Sequence, residues 1–117
     1  MSTVHLFISR SRFDSFAEIR EFIEEKYTED GDALPSVFME EAGLRGYEPA
    51  FIEAAYSREA LPISQLLEKM SYATAWLDAV PVGLAADSAI CVFSPNVFAT
   101  PERSSLEYVG AFEYNER

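Results

Sequence analysis

The chain has 117 residues and a formal net charge of −11 at pH 7, from 9 basic and 20 acidic side chains. Apolar residues make up 49% of it and aromatic residues 14%, which excludes a disordered segment and is typical of one domain with a real core. The negative charge argues against binding to nucleic acid or to an anionic membrane and favours a basic partner, although acidity by itself also serves solubility.

The N-terminal part is predicted to be a strand followed by a helix. Residues 3–9 alternate around apolar side chains, as a β-strand does. Ser15 precedes Glu18 by three residues, which is the spacing of a capping box. The apolar residues that follow keep a helical period, with glutamates on the outer side. We therefore predict an amphipathic helix over residues 15–27.

The stretch KYTEDGDALPSVF at residues 26–38 ends that helix. The sequence DGD at 30–32 is turn chemistry, and Pro35 cannot continue a helix. Ser36 can then cap a short helix, VFMEEA, which Gly43 can end.

The middle of the chain gives weaker signals. Residues 47–56 have a pattern that fits either a helical turn or an extended segment. Ser64 can cap one helix, and Ser71 can cap a further helix that runs to about Val80.

The C-terminal third is predicted to be a hairpin. Residues 89–93 are a short apolar run, and residues 106–114 are rich in aromatic and β-branched side chains and are predicted to pair with it. The N-terminal strand would join this hairpin in one small antiparallel or mixed sheet, packed with several helices. The sequence therefore predicts a single α+β domain over residues 1–117.

The acidic residues are concentrated in one part of the chain. Residues 14–59 hold 13 of the 20 acidic side chains and 4 of the 9 basic ones, a net charge of −9 against −2 for the remainder. Such a stretch can form a negatively charged face if it is contiguous on the surface.

The acidic turn does not match an EF-hand. When Gly31 is placed at the sixth position of a calcium loop, Lys26 stands at the first ligand position and Val37 at the last. Neither side chain can bind calcium, so that motif is excluded. An irregular cation site stays open, and its ligands would be Glu29, Asp30 and Asp32.

The sequence offers little material for catalysis. His5 is the single histidine and lies in a predicted strand, and Cys91 is the single cysteine and lies in an apolar run. No nucleotide loop, nucleophile elbow or zinc motif is present. We expect no catalytic residues, no metal and no cofactor, and we predict that the protein is not an enzyme.

The same residues set an expectation for location. One cysteine excludes an intrachain disulfide, which suits a reducing compartment. The apolar N-terminal stretch is too short for a signal sequence, and the apolar stretch at 79–95 is interrupted by Pro81, Gly83 and Asp87. We therefore expect a cytoplasmic protein without a membrane span.

The run YTEDGDALPSVF at 27–38 is followed by GL at 43–44 and by YEPAFIE at 47–53. These motifs resemble the immunity protein 22 family of bacterial polymorphic-toxin systems. The opening strand and acidic helix, Ser71-Tyr72 leading to Trp76, and the two closing strands are similar in the same order. The resemblance implies a small cytoplasmic protein that binds and neutralises a cognate toxin.

The chain departs from the family pattern at one point. The family commonly has a second acid before Phe-Ile-Glu, whereas this chain has Pro49-Ala50. If that acid contacts the toxin in relatives, the contact is absent or altered here.

Charge and resemblance together give one hypothesis: an acidic face docks on a basic toxin surface, for example the substrate cleft of a nuclease. The candidate toxin-binding residues are Glu29, Asp30, Asp32, Glu40, Glu41, Glu48 and Glu53. Two interpretations of the acidic turn stay open, namely a device of the fold and part of a binding face. The alternative function is a non-enzymatic scaffold or regulatory domain that binds a peptide or another protein.

Overall fold

A computed structural model describes residues 2–45 and 47–115, and it shows a four-stranded antiparallel sheet with short helices on both faces. The strands are β1 (Ser2–Ser9), β2 (Lys26–Tyr27), β3 (Ala33–Leu34), β4 (Leu44–Arg45), β5 (Ile52–Pro62), β6 (Ala85–Phe93), β7 (Val97–Phe98) and β8 (Glu107–Tyr114). The helices are α1 (Phe16–Ile23), α2 (Val37–Ala42), α3 (Ile63–Leu66) and α4 (Ala73–Trp76), with 3₁₀ turns at Pro49–Phe51, Leu77–Ala79 and Pro101–Arg103. The predicted α+β class is confirmed.

The main sheet has the strand order β5-β6-β1-β8, and two small sheets pair β2 with β3 and β4 with β7. β1 is antiparallel to β6 on one side and to β8 on the other. The predicted hairpin between residues 89–93 and 106–114 is therefore wrong, because β1 lies between those two strands. Both are antiparallel to β1 and so parallel to each other, whereas the two strands of a hairpin are adjacent and antiparallel.

The central position of β1 follows from its composition. Val4, Leu6 and Ile8 are buried in the core on one face of the sheet, and Phe7 is buried in the core on the other. A strand covered on both faces carries a nearly continuous apolar run, which explains why the alternation in residues 3–9 is imperfect.

Two hydrophobic cores result, one on each face. The α1–α2 side of the sheet is filled mainly by aromatic and aliphatic side chains: Phe7, Phe13, Ile19, Phe22, Ile23, Phe38, Ala42, Ile90, Val92 and Leu106. The α3–α4 side is built around Trp76 and includes Val4, Leu6, Ile8, Ile63, Leu66, Leu67, Val80, Ala86, Ala89, Cys91, Phe93 and Tyr114.

The first helix is shorter than predicted. Ser15 caps it by accepting a hydrogen bond from the Glu18 amide at 3.2 Å, as its spacing indicates. α1 nevertheless ends at Ile23, and Glu24 already has an extended backbone. The predicted continuation to residue 27 is wrong because Lys26–Tyr27 pairs with Ala33–Leu34 to form a hairpin.

The second helix agrees with the prediction at both ends. The Ser36 hydroxyl accepts a hydrogen bond from the Met39 amide at 3.1 Å, and Gly43 ends α2 in the left-handed region at φ 66°. A Cβ added at Gly43 would lie 3.0 Å from Thr100 Oγ1, so both the left-handed backbone and the close packing favour glycine here.

The two serine caps predicted further along are wrong. α3 begins at Ile63 after Pro62, and α4 begins at Ala73 after Tyr72, and neither helix has a side-chain cap. Ser71 binds Glu53 instead, so a tertiary partner takes the hydroxyl that a cap would use. Residues 47–56, which the sequence left ambiguous, divide into the 3₁₀ turn and the first part of β5.

Among residues 2–45 and 47–115, no helix is long and apolar enough to cross a membrane.

Candidate binding surface

The acidic turn forms the tip of the β2–β3 hairpin, and we call residues 28–32 the hairpin tip. Thr28 organises it: the Thr28 amide donates to the Asp32 carbonyl at 2.9 Å, and the Thr28 carbonyl accepts from the Gly31 amide at 2.9 Å. The Thr28 hydroxyl also accepts from the Asp32 amide at 3.1 Å. Gly31 has φ 87°, a conformation that glycine adopts without strain. The loop is therefore closed by backbone groups and by the Thr28 hydroxyl, a role that no local sequence pattern indicates.

The carboxylates of the hairpin tip take no part in closing it. Glu29, Asp30 and Asp32 are all exposed. In the described part of the chain, none of the three carboxylates has a hydrogen-bond or ion-pair partner. The turn and the charge are separable, since the backbone fixes the loop and leaves the acids facing solvent.

The remaining candidate acids have different surroundings. Glu40 is exposed on α2, whereas the Glu41 carboxylate accepts hydrogen bonds from the amide and the hydroxyl of Ser105, both at 2.8 Å. Glu48 exposes its side chain, and its backbone is fixed by the buried Asn96, whose Oδ1 accepts from the Glu48 amide at 2.9 Å. Glu41 thus holds α2 to the loop before β8, while the carboxylates of Glu40 and Glu48 have no hydrogen-bond or ion-pair partner among residues 2–45 and 47–115.

Glu53 has a structural role. Its carboxylate accepts hydrogen bonds from the Ser71 amide, at 2.9 Å, and from the Ser71 hydroxyl. The Trp76 indole in turn donates to the Ser71 carbonyl at 3.0 Å. Glu53 also lies opposite Cys91 in the β5–β6 register, which puts it on the α3–α4 side of the sheet. Five of the seven candidate acids are exposed, and we call this proposed set the acidic face: Glu29, Asp30, Asp32, Glu40 and Glu48.

A groove that the sequence did not predict opens beside the first residues of β5, and we call it the edge groove. Its volume is about 430 Å³, within the range of about 300–1,000 Å³ that is typical of binding clefts. It is lined on one side by Phe16, Arg20 and Ile23 of α1, and elsewhere by Tyr47, Ile52 and Met70. Phe16, which the helical period assigned to the buried side of the helix, remains 44% exposed.

Tyr47 connects the edge groove to the hairpin. Burial raises the pKa of the Tyr47 phenol, and the nearby carboxylates of Glu24 and Glu25 raise it further, against a hydrogen bond from the Glu25 backbone. The Tyr27 side chain, on the hairpin, also raises the pKa of the Tyr47 phenol. The groove and the hairpin are therefore neighbours on the surface. The Arg20 guanidinium on the groove wall is paired with Glu24 at 2.7 Å.

The two residues that could suggest catalysis, His5 and Cys91, both have structural surroundings. His5 Nδ1 is 3.0 Å from the Tyr108 hydroxyl, and burial lowers the pKa of the His5 ring. Cys91 is buried, and burial raises the pKa of its thiol. His5 lies opposite Val92 in the sheet and therefore projects from the same face as Val92, whereas Cys91 projects from the other face. The His5 and Cys91 side chains cannot act as a pair.

No three histidine, cysteine, aspartate or glutamate side chains are arranged to hold a metal ion among the residues that the structure describes.

The chain thus combines an α+β fold with a charged hairpin tip and a groove beside the first residues of β5. The model of the immunity protein 22 family matches residues 4–115, and the chain belongs to this family. The resemblance inferred from the sequence is confirmed. No curated protein and no solved structure gave a match.

Proposed function

We propose that this protein binds a cognate bacterial toxin and neutralises it by covering a basic surface, such as the substrate cleft of a nuclease, with its acidic face. Membership of an immunity protein family supports a toxin as the partner. The observation that carries the acidic docking is the hairpin tip, where Glu29, Asp30 and Asp32 are exposed without partners in the described chain. The protein acts without catalysis and in the cytoplasm.

The electrostatic argument starts from the substrate of such a toxin. An enzyme that binds nucleic acid lines its cleft with lysine and arginine, because those side chains neutralise phosphates. Carboxylates held on a closed loop present negative charge to such a cleft without having to be ordered first. Complementary charge of this kind speeds encounter and excludes wrong partners.

Charge alone gives little affinity, and apolar side chains near the acids would supply the rest. Tyr27 is 66% exposed and Val37 is 55% exposed, and they lie on either side of the hairpin tip in the chain. Apolar anchors inside a polar rim are the usual composition of a protein interface. Leu34, in β3, is a third exposed apolar side chain of this region.

The experiment is co-expression with the toxin domain encoded in the neighbouring reading frame. We expect that cells survive the toxin when this chain is present and that the two proteins purify as one complex. An unrelated acidic protein of similar size is the control, and it should give neither result. If this chain gives no protection and forms no complex, the proposed function is wrong.

The alternative, a scaffold or regulatory domain that uses its acidity only for solubility, predicts a different response to salt. Binding in an apolar groove would change little with ionic strength, whereas binding by the acidic face would weaken steeply.

A further inference from the structure

The two edge strands of the main sheet are protected to different degrees. β8 has an irregularity where β1 passes from Leu6 to Phe7, and it exposes Glu107 and Glu113. A bulge and edge charges are the devices by which proteins prevent a second strand from pairing with an open edge. β8 is therefore a guarded edge.

The first part of β5 lacks these devices. Residues 52–56 pair with β6 in regular register, and the irregularity comes only after Tyr56. Their one charged side chain, Glu53, is held by Ser71. Apart from the ladder with β6, the backbone of residues 53–56 makes no hydrogen bond within the described residues. This stretch is an open edge that could pair with another strand.

The edge groove runs along this open edge. The wall on the α1 side is formed by Phe16 and Arg20, which lie four residues apart on one side of the helix, and by Ile23, with Glu24 just past the helix end. Ile52 and Ala54 lie in register with Val92 and Ile90, so they face the same side as α1, while Glu53 faces the side of Met70. The groove thus offers an apolar surface on one side of the open edge and a carboxylate on the other.

We propose that an extended segment of the cognate toxin enters the edge groove and adds to β5 as a fifth strand of the sheet. Alternate side chains of that segment point to opposite sides, so apolar ones contact Phe16 and Ile52, and a lysine or arginine reaches Glu53. The Glu53 carboxylate has acceptor sites beyond those used by Ser71. The proposal rests on the proposed function, since the toxin supplies the strand.

The negative charge of this part of the chain favours a basic toxin segment as the strand that binds in the edge groove. The segment from residue 14 to residue 59, which includes this edge, has a net charge of −9. A second copy of the chain, with its own net charge of −11, would be repelled. A basic extended segment fits both the ladder and the charge.

Amide hydrogen exchange of the complex with the purified toxin domain tests the proposal. We expect amides within residues 53–56 to exchange at least about 10-fold more slowly in the complex, because new ladder hydrogen bonds protect them. The amides of β8 serve as the matched edge and should not change. Protection of β8 instead, or of the hairpin tip alone, overturns this proposal and leaves the proposed function standing. Absence of any complex overturns both.

A pair of phenylalanines gives an independent test, because Phe16 and Phe51 are both 44% exposed and only Phe16 lines the groove. We expect Phe16→Ala to weaken toxin binding by about 30-fold and Phe51→Ala by less than about 2-fold. Met70→Ala, on the other side of the groove, provides a second measure. Thermal unfolding checks that each variant folds. Equal effects of the two phenylalanine variants would contradict the proposal.

Discussion

Ser71 is predicted from its neighbours in the chain to cap a helix, but it forms hydrogen bonds with a residue that is distant in the sequence. Its position before a helical stretch predicts an N-cap, yet its hydroxyl and amide both donate to Glu53. The same residue accepts the Trp76 indole hydrogen bond through its carbonyl. Ser71 therefore joins β5 to the core on the α3–α4 side through Glu53, which remains a proposed toxin contact in the edge groove.

We expect Ser71→Ala to lower the free energy of unfolding by about 1 kcal/mol, because a hydrogen bond to a carboxylate is lost at a partly exposed site. Ser64→Ala is the matched control: Ser64 carries the same N-cap prediction, is exposed, and has no side-chain hydrogen bond in the described chain. It should change stability by less than about 0.5 kcal/mol. Urea unfolding measures both, and equal losses would argue against the Glu53 contact.

Burial of His5 is expected to make the free energy of unfolding depend on pH. Burial lowers the pKa of His5 below its ordinary value of 6.5, since the charged ring is disfavoured in the fold. Above pH 6.5 His5 is uncharged in both states and the free energy of unfolding is unaffected by its burial. As the pH falls from 6.5 toward the folded-state pKa, the free energy of unfolding decreases, because the unfolded chain takes up the proton first.

We expect the free energy of unfolding to decline between about pH 7 and pH 5, and we expect His5→Gln to reduce that decline. Chemical unfolding at a series of pH values measures the slope. The two proteins have the same carboxylates, so the difference between their slopes reports on His5. An identical slope in the variant would show that His5 does not titrate differently in the folded state.

At the scale of elements, the ends of a helix are predicted correctly from neighbouring residues where none of those residues pairs with another strand. α2 begins at the residue after Ser36 and ends at Gly43, as the sequence predicts. α1 begins where Ser15 indicates but loses its last turn, because Lys26–Tyr27 pairs with Ala33–Leu34. The pairing of two short strands is visible only when both are in place.

The hairpin can be tested by reversing its charge. We expect Asp30→Lys combined with Asp32→Lys to weaken toxin binding by at least about 100-fold while the fold persists, because neither carboxylate has a partner in the described chain. Glu68→Lys combined with Asp78→Lys is the matched control: both acids are exposed outside the acidic face, and the change in net charge is the same.

Calorimetric titration measures binding of both double variants, and circular dichroism checks their folding. Equal weakening would assign the effect to net charge instead of to the hairpin. Loss of folding in the hairpin variant would mean that the acids serve the turn.

At the scale of the whole molecule, the strand order puts β5 at the edge of the main sheet, where its first residues and α1 line the same groove. The sequence predicts three of the four strands of the main sheet, and it leaves β5 ambiguous. The edge groove exists only because β5 is placed at the edge and α1 packs beside it. No local pattern encodes that arrangement.

The proposed docking through acidic residues predicts a strong salt dependence of binding. We expect the dissociation constant for the toxin to rise at least about 10-fold between about 0.05 M and 0.5 M salt, mainly through slower association, because screening shortens the range of the attraction. Surface plasmon resonance separates the two rate constants. A constant affinity across this range would favour the scaffold alternative, in which acidity serves only solubility.

The sequence by itself determined the α+β class, the first strand, α2 with both ends, the acidic turn and the family. Each of these depends on neighbours in the chain or on a motif of contiguous residues. The tertiary structure decided that β1 separates the last two long strands, that Ser71 binds Glu53, and that residues 52–56 form an open edge beside a groove. These features depend on which distant segments meet, and that choice is made by the joint burial of both faces of β1, which no local pattern records.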